Sequence, residues 1–331
     1  MQKRQSIVVA AVLTVALLAI TVTAQSVISA ENNFAIARTP WGHPDLQGIW
    51  DRRTITPLER PERFADKAFL NLEEIRAYEK DSAARADGRP LDYGRDGISV
   101  HDPSDLDYGS TVAVGGQTSL IVDPADGRIP PYTQAFRERS AAAAENREGR
   151  GAADSWTDRS LTERCMTWGI PGGMLPQAYN NNIQILQTPT TVMILNEMVH
   201  DIRIVALDGR AHISSNIRQW HGDPLGHWEG DTLVVDSTNF SEKSNFRGSG
   251  ENLHLIERFT PTGAGLLRYE FTVEDSSTWL RPWSVAFPMM KTEDPIYEFA
   301  CHEGNHGLMN ILRVARNLEK QAKSSISTDR K

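Results

Sequence analysis

The chain has 331 residues, of which 40% are hydrophobic and 24% charged, with a formal net charge of −8. That composition suits a globular protein with a sizeable core. The negative balance, with no window of clustered Lys and Arg, argues against non-specific nucleic-acid binding.

The N-terminus reads MQKRQSIVVAAVLTVALLAITVTAQSVISAEN, with Lys3 and Arg4 ahead of an apolar run from Ser6 to Val22. Small residues ending at Ala24 or Ala30 offer cleavage points. This order of parts is that of a secretory signal peptide, and residues 1–30 are expected to be a signal and short spacer. The alternative is a single membrane anchor, since ~17 apolar residues is borderline for spanning. No later segment is long and apolar enough to span, so a periplasmic or secreted location is expected. Two cysteines remain, Cys165 and Cys301, and an oxidising compartment favours joining them. Two free thiols, one of them nucleophilic, are the alternative.

Residues 31–160 are expected to supply a first strand, helices and long loops wrapping a barrel. Asn71 and Glu74 form a capping box that opens a helix ending at Gly88. Residues 88–115 read as a long polar loop. TSLIVDPADG is a strand entering a turn, and TQAFRERSAAAAENREGRG a second, charged helix. Residues 161–318 are expected to form the barrel core with a C-terminal helix. Strand-like runs follow at short intervals: NIQILQTP, TVMILNEMVHDIRIVALDG, DTLVVDSTNF, NLHLIERFTP, LLRYEFTVED, WSVAFPMM and IYEFACHE. Their turn signals predict a mainly β fold, an antiparallel barrel or sandwich. The helix HGLMNILRVARNLEK carries Leu308, Ile311, Leu312 and Ala315 on one stripe, and residues 319–331 are expected to be a disordered tail.

LQGIW, Leu46 to Trp50, resembles the Gly-x-Trp element that opens the first strand of lipocalin-type barrels, where Trp plugs the base. GHWEGDTLVVDSTNF, ENLHLIERFT and YEFACHEGN together resemble a family of exported, uncharacterised bacterial proteins. That resemblance runs from Thr39 to about Arg316 and implies a shared fold, with no activity to carry over. The fold expectation is thus a lipocalin-like barrel with N-terminal helical and loop insertions.

Several ionisable residues interleave with apolar ones. At period two, His200 shares a face with Ile194, Met198, Ile202 and Ile204, which makes it a buried histidine or a desolvated general base. Glu197, Asp201 and Arg203 fall on the opposite face and read as solvated. Glu257 alternates with Leu253, Leu255 and Phe259, so it is expected inside, either ion-paired with Arg203 or Arg281 or acting as an acid with a raised pKa. His254 and Arg258 take the other face. On a strand from Tyr297, Cys301 and Glu303 share one face and His302 the other. His302 and His306 match the letters of H-E-x-x-H, but Gly304 and Gly307 break the helix which that zinc motif needs. A looser set of His200, His254 and His302 is the alternative metal site. No metal or other cofactor is favoured, and a divalent metal stays open. In RQWHGDPLGHWEGD, Asp223-Pro224 and Glu229-Gly230-Asp231 read as turns, and YNNN is either a turn or a polar ligand contact.

Three functions follow from these residues. The first is an exported lyase, isomerase or hydrolase acting on a small-molecule or sugar-derived compound in a barrel cavity. In it, His200 is the base, Glu257 or Glu303 the acid and Arg203 or Arg258 the electrostatic stabiliser, with His254 and His302 as further catalytic candidates. The second is a lipocalin-like binding protein without turnover. The third is a metal-dependent hydrolase or oxygenase with a His-rich site.

Overall fold

Alternating side chains build the longest strands. In β9 (Leu266–Glu274), Leu267, Tyr269, Phe271 and Val273 are fully buried while Arg268 is exposed, as a period of two requires. The computed structural model describes residues 34–87, 107 and 109–328. The expected signal segment and most of the 88–115 loop fall outside them. Residues Arg38–Lys331 form one compact unit.

Within it the other strands are β1 (Gly48–Asp51), β2 (Ile121–Asp123), β3 (Asn182–Gln187), β4 (Thr191–Asn196), β5 (Ile202–Ala206), β6 (Asp223–Glu229), β7 (Thr232–Thr238), β8 (His254–Gly263) and β10 (Trp283–Thr292). They join in the order β1-β3-β4-β5-β6-β7-β8-β9-β10, and β10 pairs with β1 to close the ring. β2 attaches to β10 as a branch. The mainly β barrel is therefore closed. One pairing departs from the antiparallel expectation: β5 and β6 run parallel and meet through a single register pair, Ala206 and Leu225. The long connection between them, residues 207–222, carries the chain back so that β6 starts from the same end.

Trp50 lies in the core, its indole N–H donating to the Leu46 carbonyl at 2.8 Å. Gly48, at φ +131°, takes a backbone conformation that side-chain-bearing residues avoid. α1 (Leu72–Asp87) starts as read: Asn71 Oδ1 accepts from the Glu74 N–H, and Glu74 Oε2 accepts from the Asn71 N–H. α2 (Gln134–Glu145) is capped by Thr133. α3 (His306–Thr328) runs through most of the expected tail, because Gln321, Ala322 and Lys323 are good helix formers and no Gly or Pro stops them. Among the described residues no helix is long and apolar enough to cross a membrane.

Three strand readings change. The run TVMILNEMVHDIRIVALDG is two strands, with the chain reversing between Asn196 and Ile202 through Val199 and His200, both at positive φ. Ile296 to Glu303 forms no strand. β1 already occupies the edge of β10 that would have received it. The Asp223-Pro224 segment, expected as a turn, opens strand β6.

Candidate functional site

The reversal after β4 inverts the expected faces. His200 is exposed in the turn, its Nδ1 3.2 Å from the Phe299 carbonyl. Ile202 and Ile204 point outward, 51% and 56% exposed, whereas Glu197, Asp201 and Arg203 are buried. Ile194 and Met198 of the apolar face assigned to His200 are buried, so the face lies inside before the reversal and outside after it, where the charged residues turn inward.

Glu257 does face the interior, and its partner is Arg203. The two are fully buried, with Arg203 Nη1 and Nη2 donating to the carboxylate at 2.5 and 2.9 Å. β5 and β8 are separated by β6 and β7 in the sheet, so this bidentate pair crosses the barrel interior. Tyr269, diagonal to Glu257 on β9, donates its hydroxyl at 2.7 Å. Burial opposes the Arg203 charge, but the Glu257 carboxylate outweighs it and holds the guanidinium above its usual range. Burial, then Glu257, pushes the Tyr269 phenol well up. Arg52, also buried, donates to Asn196 Oδ1 at 3.0 Å. Desolvation lowers its pKa to about 10 against the pull of Tyr269, Glu197 and Asp51. Around this network the lumen is filled by Phe259, Phe271, Phe287 and Met289. Arg281, the other partner considered for Glu257, pairs with Asp123 at the surface.

The remaining expected residues lie apart. His302 and Glu303 are exposed, and the His302 ring lies 6.5 Å from that of His200. His254 instead bridges Asp236 and Glu274 on the barrel exterior. The set His200, His254 and His302 is not gathered, and among the described residues no group of three or more His, Cys, Asp or Glu is arranged to hold a metal ion. His306 begins α3 while His302 precedes it, so the two do not share a helix. Arg258 pairs with Glu229 at 2.8 Å on the surface.

His254 belongs to a chain of alternating charges missed by motif reading. Arg210 and His212 hold Asp223, His212 reaches Asp236, and Asp236 and Glu274 hold His254. The bond to Asp236 outweighs burial and, with Glu274, raises the His254 pKa to about 9. Arg210, opposed by burial and joined by the Ile213 N–H and His212, lowers that of Asp223 to about 2. A raised histidine stabilises fully below its ordinary 6.5 and loses this as pH climbs through about 9. A depressed aspartate stabilises fully above 3.8 and loses this as pH falls through about 2. Melting temperature should therefore fall on the alkaline side between those histidine limits. The variant His254→Gln should flatten that limb; an unchanged alkaline limb would separate it from His254.

A candidate binding cavity lies elsewhere. A cleft of about 1280 Å³ is lined mainly from five stretches, 51–58, 78–83 of α1, 107 with 109–111, 168–177 and 245–247, together with Arg63, Leu120 and Met290. None of the seven expected site residues lines it. Its walls are tied together. Thr54 Oγ1 donates to the Thr111 carbonyl, Ile55 N–H donates to the same carbonyl, and Thr56 Oγ1 accepts from the Ala113 N–H. Glu79 of α1 accepts from the Val112 N–H at 3.0 Å. Gln177 donates to the Gly172 and Leu175 carbonyls. The Trp168 N–H is held by buried Asp201, which also accepts from Thr167 Oγ1 at 2.9 Å. His221 Nε2 approaches both Thr167 Oγ1 and Asp201. Thr167 and Asp201 share one ring nitrogen, unlike a nucleophile–base–orienter relay, in which they occupy opposite ones. The group positions Trp168. Compared with protein families, curated proteins and solved structures, the chain finds no match.

Charge in the cleft comes from Arg53, Arg63 and Arg247 against Asp51 and Asp107. Arg53 is bonded to both aspartates. Arg63 lies over the Phe64 and Tyr78 rings at 4.9 and 4.8 Å and 3.9 Å from Asp81. Arg247 makes no hydrogen bond or ion pair among the described residues. It sits at the tip of a tight reversal in which the Phe246 and Ser249 backbones exchange both hydrogen bonds. Arg247 and Gly248 have φ of +51° and +93°, the pattern of a type I′ turn. A Cβ on Gly248 would stand 2.2 Å from Phe136, so glycine is required there. Arg247 has no such excuse, since a side-chain-bearing residue other than Asn or Asp in that conformation costs roughly 1–2 kcal/mol.

Proposed function

We propose that the protein is an exported small-molecule-binding protein whose ligand sits in this cleft beside the barrel, outside the packed lumen. The carrying observation is the cleft itself, about 1280 Å³ with near-equal polar and apolar walls, at or above the volume of most small-molecule sites. Rigid walls add support, because ordering entropy is then spent before the ligand arrives. The Arg203–Glu257 pair fits a structural role: its carboxylate accepts from two guanidinium nitrogens and a phenol. Export is supported by the Lys3/Arg4 and apolar leader and by the Cys165–Cys301 disulfide, which an oxidising compartment maintains.

The test is fluorescence titration with two apolar dyes, neutral N-phenyl-1-naphthylamine and its sulfonated relative 1-anilinonaphthalene-8-sulfonate. At least one should bind saturably at one equivalent per chain. Ser110→Trp, at an exposed position of the lining, should abolish that binding with melting temperature unchanged. No saturable binding of either dye, or equal binding by the Trp variant, overturns the reading.

A further inference from the structure

Resting on the cleft as the binding site, we infer that its ligand is an amphipathic organic monoanion, and that Arg247 is the residue that recognises the charge. Among the described residues three arginines and two aspartates line the cleft, on a chain whose net charge is −8. Arg53 is neutralised by Asp51 and Asp107, and Arg63 is engaged by two rings and Asp81. Arg247 is the lining arginine left without an acidic partner among the described residues.

The turn fixes the backbone of Arg247 at the cleft. Phe246 anchors one side in the core, stacked 5.9 Å from Trp283. Ser249 anchors the other, its hydroxyl donating to Asp275 at 2.6 Å. Asn245 Oδ1 accepts from the Gly248 N–H and closes the loop. For folding alone, Asn or Gly would suit position 247 better than Arg. A strained residue in a site is a reason to look for function there. A guanidinium is well matched to a carboxylate or similar oxyanion, through paired charge-assisted hydrogen bonds. Leu58, Leu120, Leu175 and Phe246 supply apolar wall for the body of such a ligand. A single unpaired guanidinium suits a monoanion better than a phosphate monoester or dicarboxylate.

The experiment compares the two dyes, which differ in the sulfonate, on the full chain and on Arg247→Asn. The wild-type protein should bind the sulfonate at least about 10-fold more tightly than the neutral dye, the range of a charge-assisted hydrogen bond. R247N should lose about that factor for the sulfonate, keep its affinity for the neutral dye, and melt no earlier than wild type. R247K should recover part of the loss. Equal wild-type affinity for both dyes, or sulfonate binding unaffected by R247N, overturns the monoanion assignment while leaving the cleft as a binding site. Failure of both dyes to bind overturns the cleft reading and this inference together.

Discussion

Replacing Glu257 with Ala is expected to lower the unfolding free energy by about 3–5 kcal/mol, the usual result of stranding one half of a buried ion pair. The variant leaves the Arg203 guanidinium, at 0% exposure, without its bidentate acceptor, and the Tyr269 hydroxyl without its own. Since a domain's whole stability is of order 5–15 kcal/mol, E257A should sit near the edge of folding. The double variant Arg203→Met with Glu257→Leu should recover most of the loss, because both desolvated charges go together. Urea denaturation of Arg203→Met, Glu257→Leu and the double variant gives the coupling energy directly. A loss below about 1 kcal/mol in E257A would show that the bridge does not hold the barrel. Dye binding by the double variant tests a second point. It should match wild type if the lumen pair is structural, and should fail if the pair serves the ligand.

The second large effect belongs to the disulfide. Cys165 lies before β3 and Cys301 after β10, 136 residues apart with Cα atoms at 5.6 Å, inside the normal range for a bridge. The staple therefore encloses eight of the nine ring strands. Chain entropy alone assigns a loop of this length about 5 kcal/mol, and measured removals run about 2–5. C165S/C301S, or reduction of the wild-type protein, should lower stability by that amount in chemical denaturation. Identical midpoints with and without reductant would mean that the bridge adds nothing.

Periodicity reveals those parts of this molecule that depend on neighbours in sequence. β9 and β8 alternate cleanly, so the inward placement of Glu257 among Leu255 and Phe259 was legible, and Arg203 was among its two named partners. The capping box of Asn71 and Glu74 was legible for the same local reason. His200 was not, because its position depends on a reversal whose left-handed residues are Val199 and His200. Neither residue type announces a turn, and a β-branched residue is rarely found there. Without that turn, period-two reading continues through Asn196 and exchanges inside for outside. β6 was hidden by its proline and glycine, which read as loop. The segment 296–303 has strand composition, but the free edge it would need is taken, and that is a property of the closed ring. The cleft was the least legible feature. Five stretches from Asp51 to Arg247 meet there, and no spacing in the sequence brings them together.

The single parallel contact between β5 and β6 has a counting origin. A closed ring in which every strand opposes both neighbours needs an even number of strands. This ring has nine, so somewhere two neighbours must point the same way. No choice of side chains could remove that misfit; the sequence can only choose where it falls. It falls where one register pair joins the strands, while the longest ladders, β8–β9 and β9–β10, stay uninterrupted in direction. Across the same interval Arg203 of β5 reaches past β6 and β7 to Glu257 of β8. The ion pair is thus a strut over the seam, fastening from within the one place where the backbone ladder is thinnest.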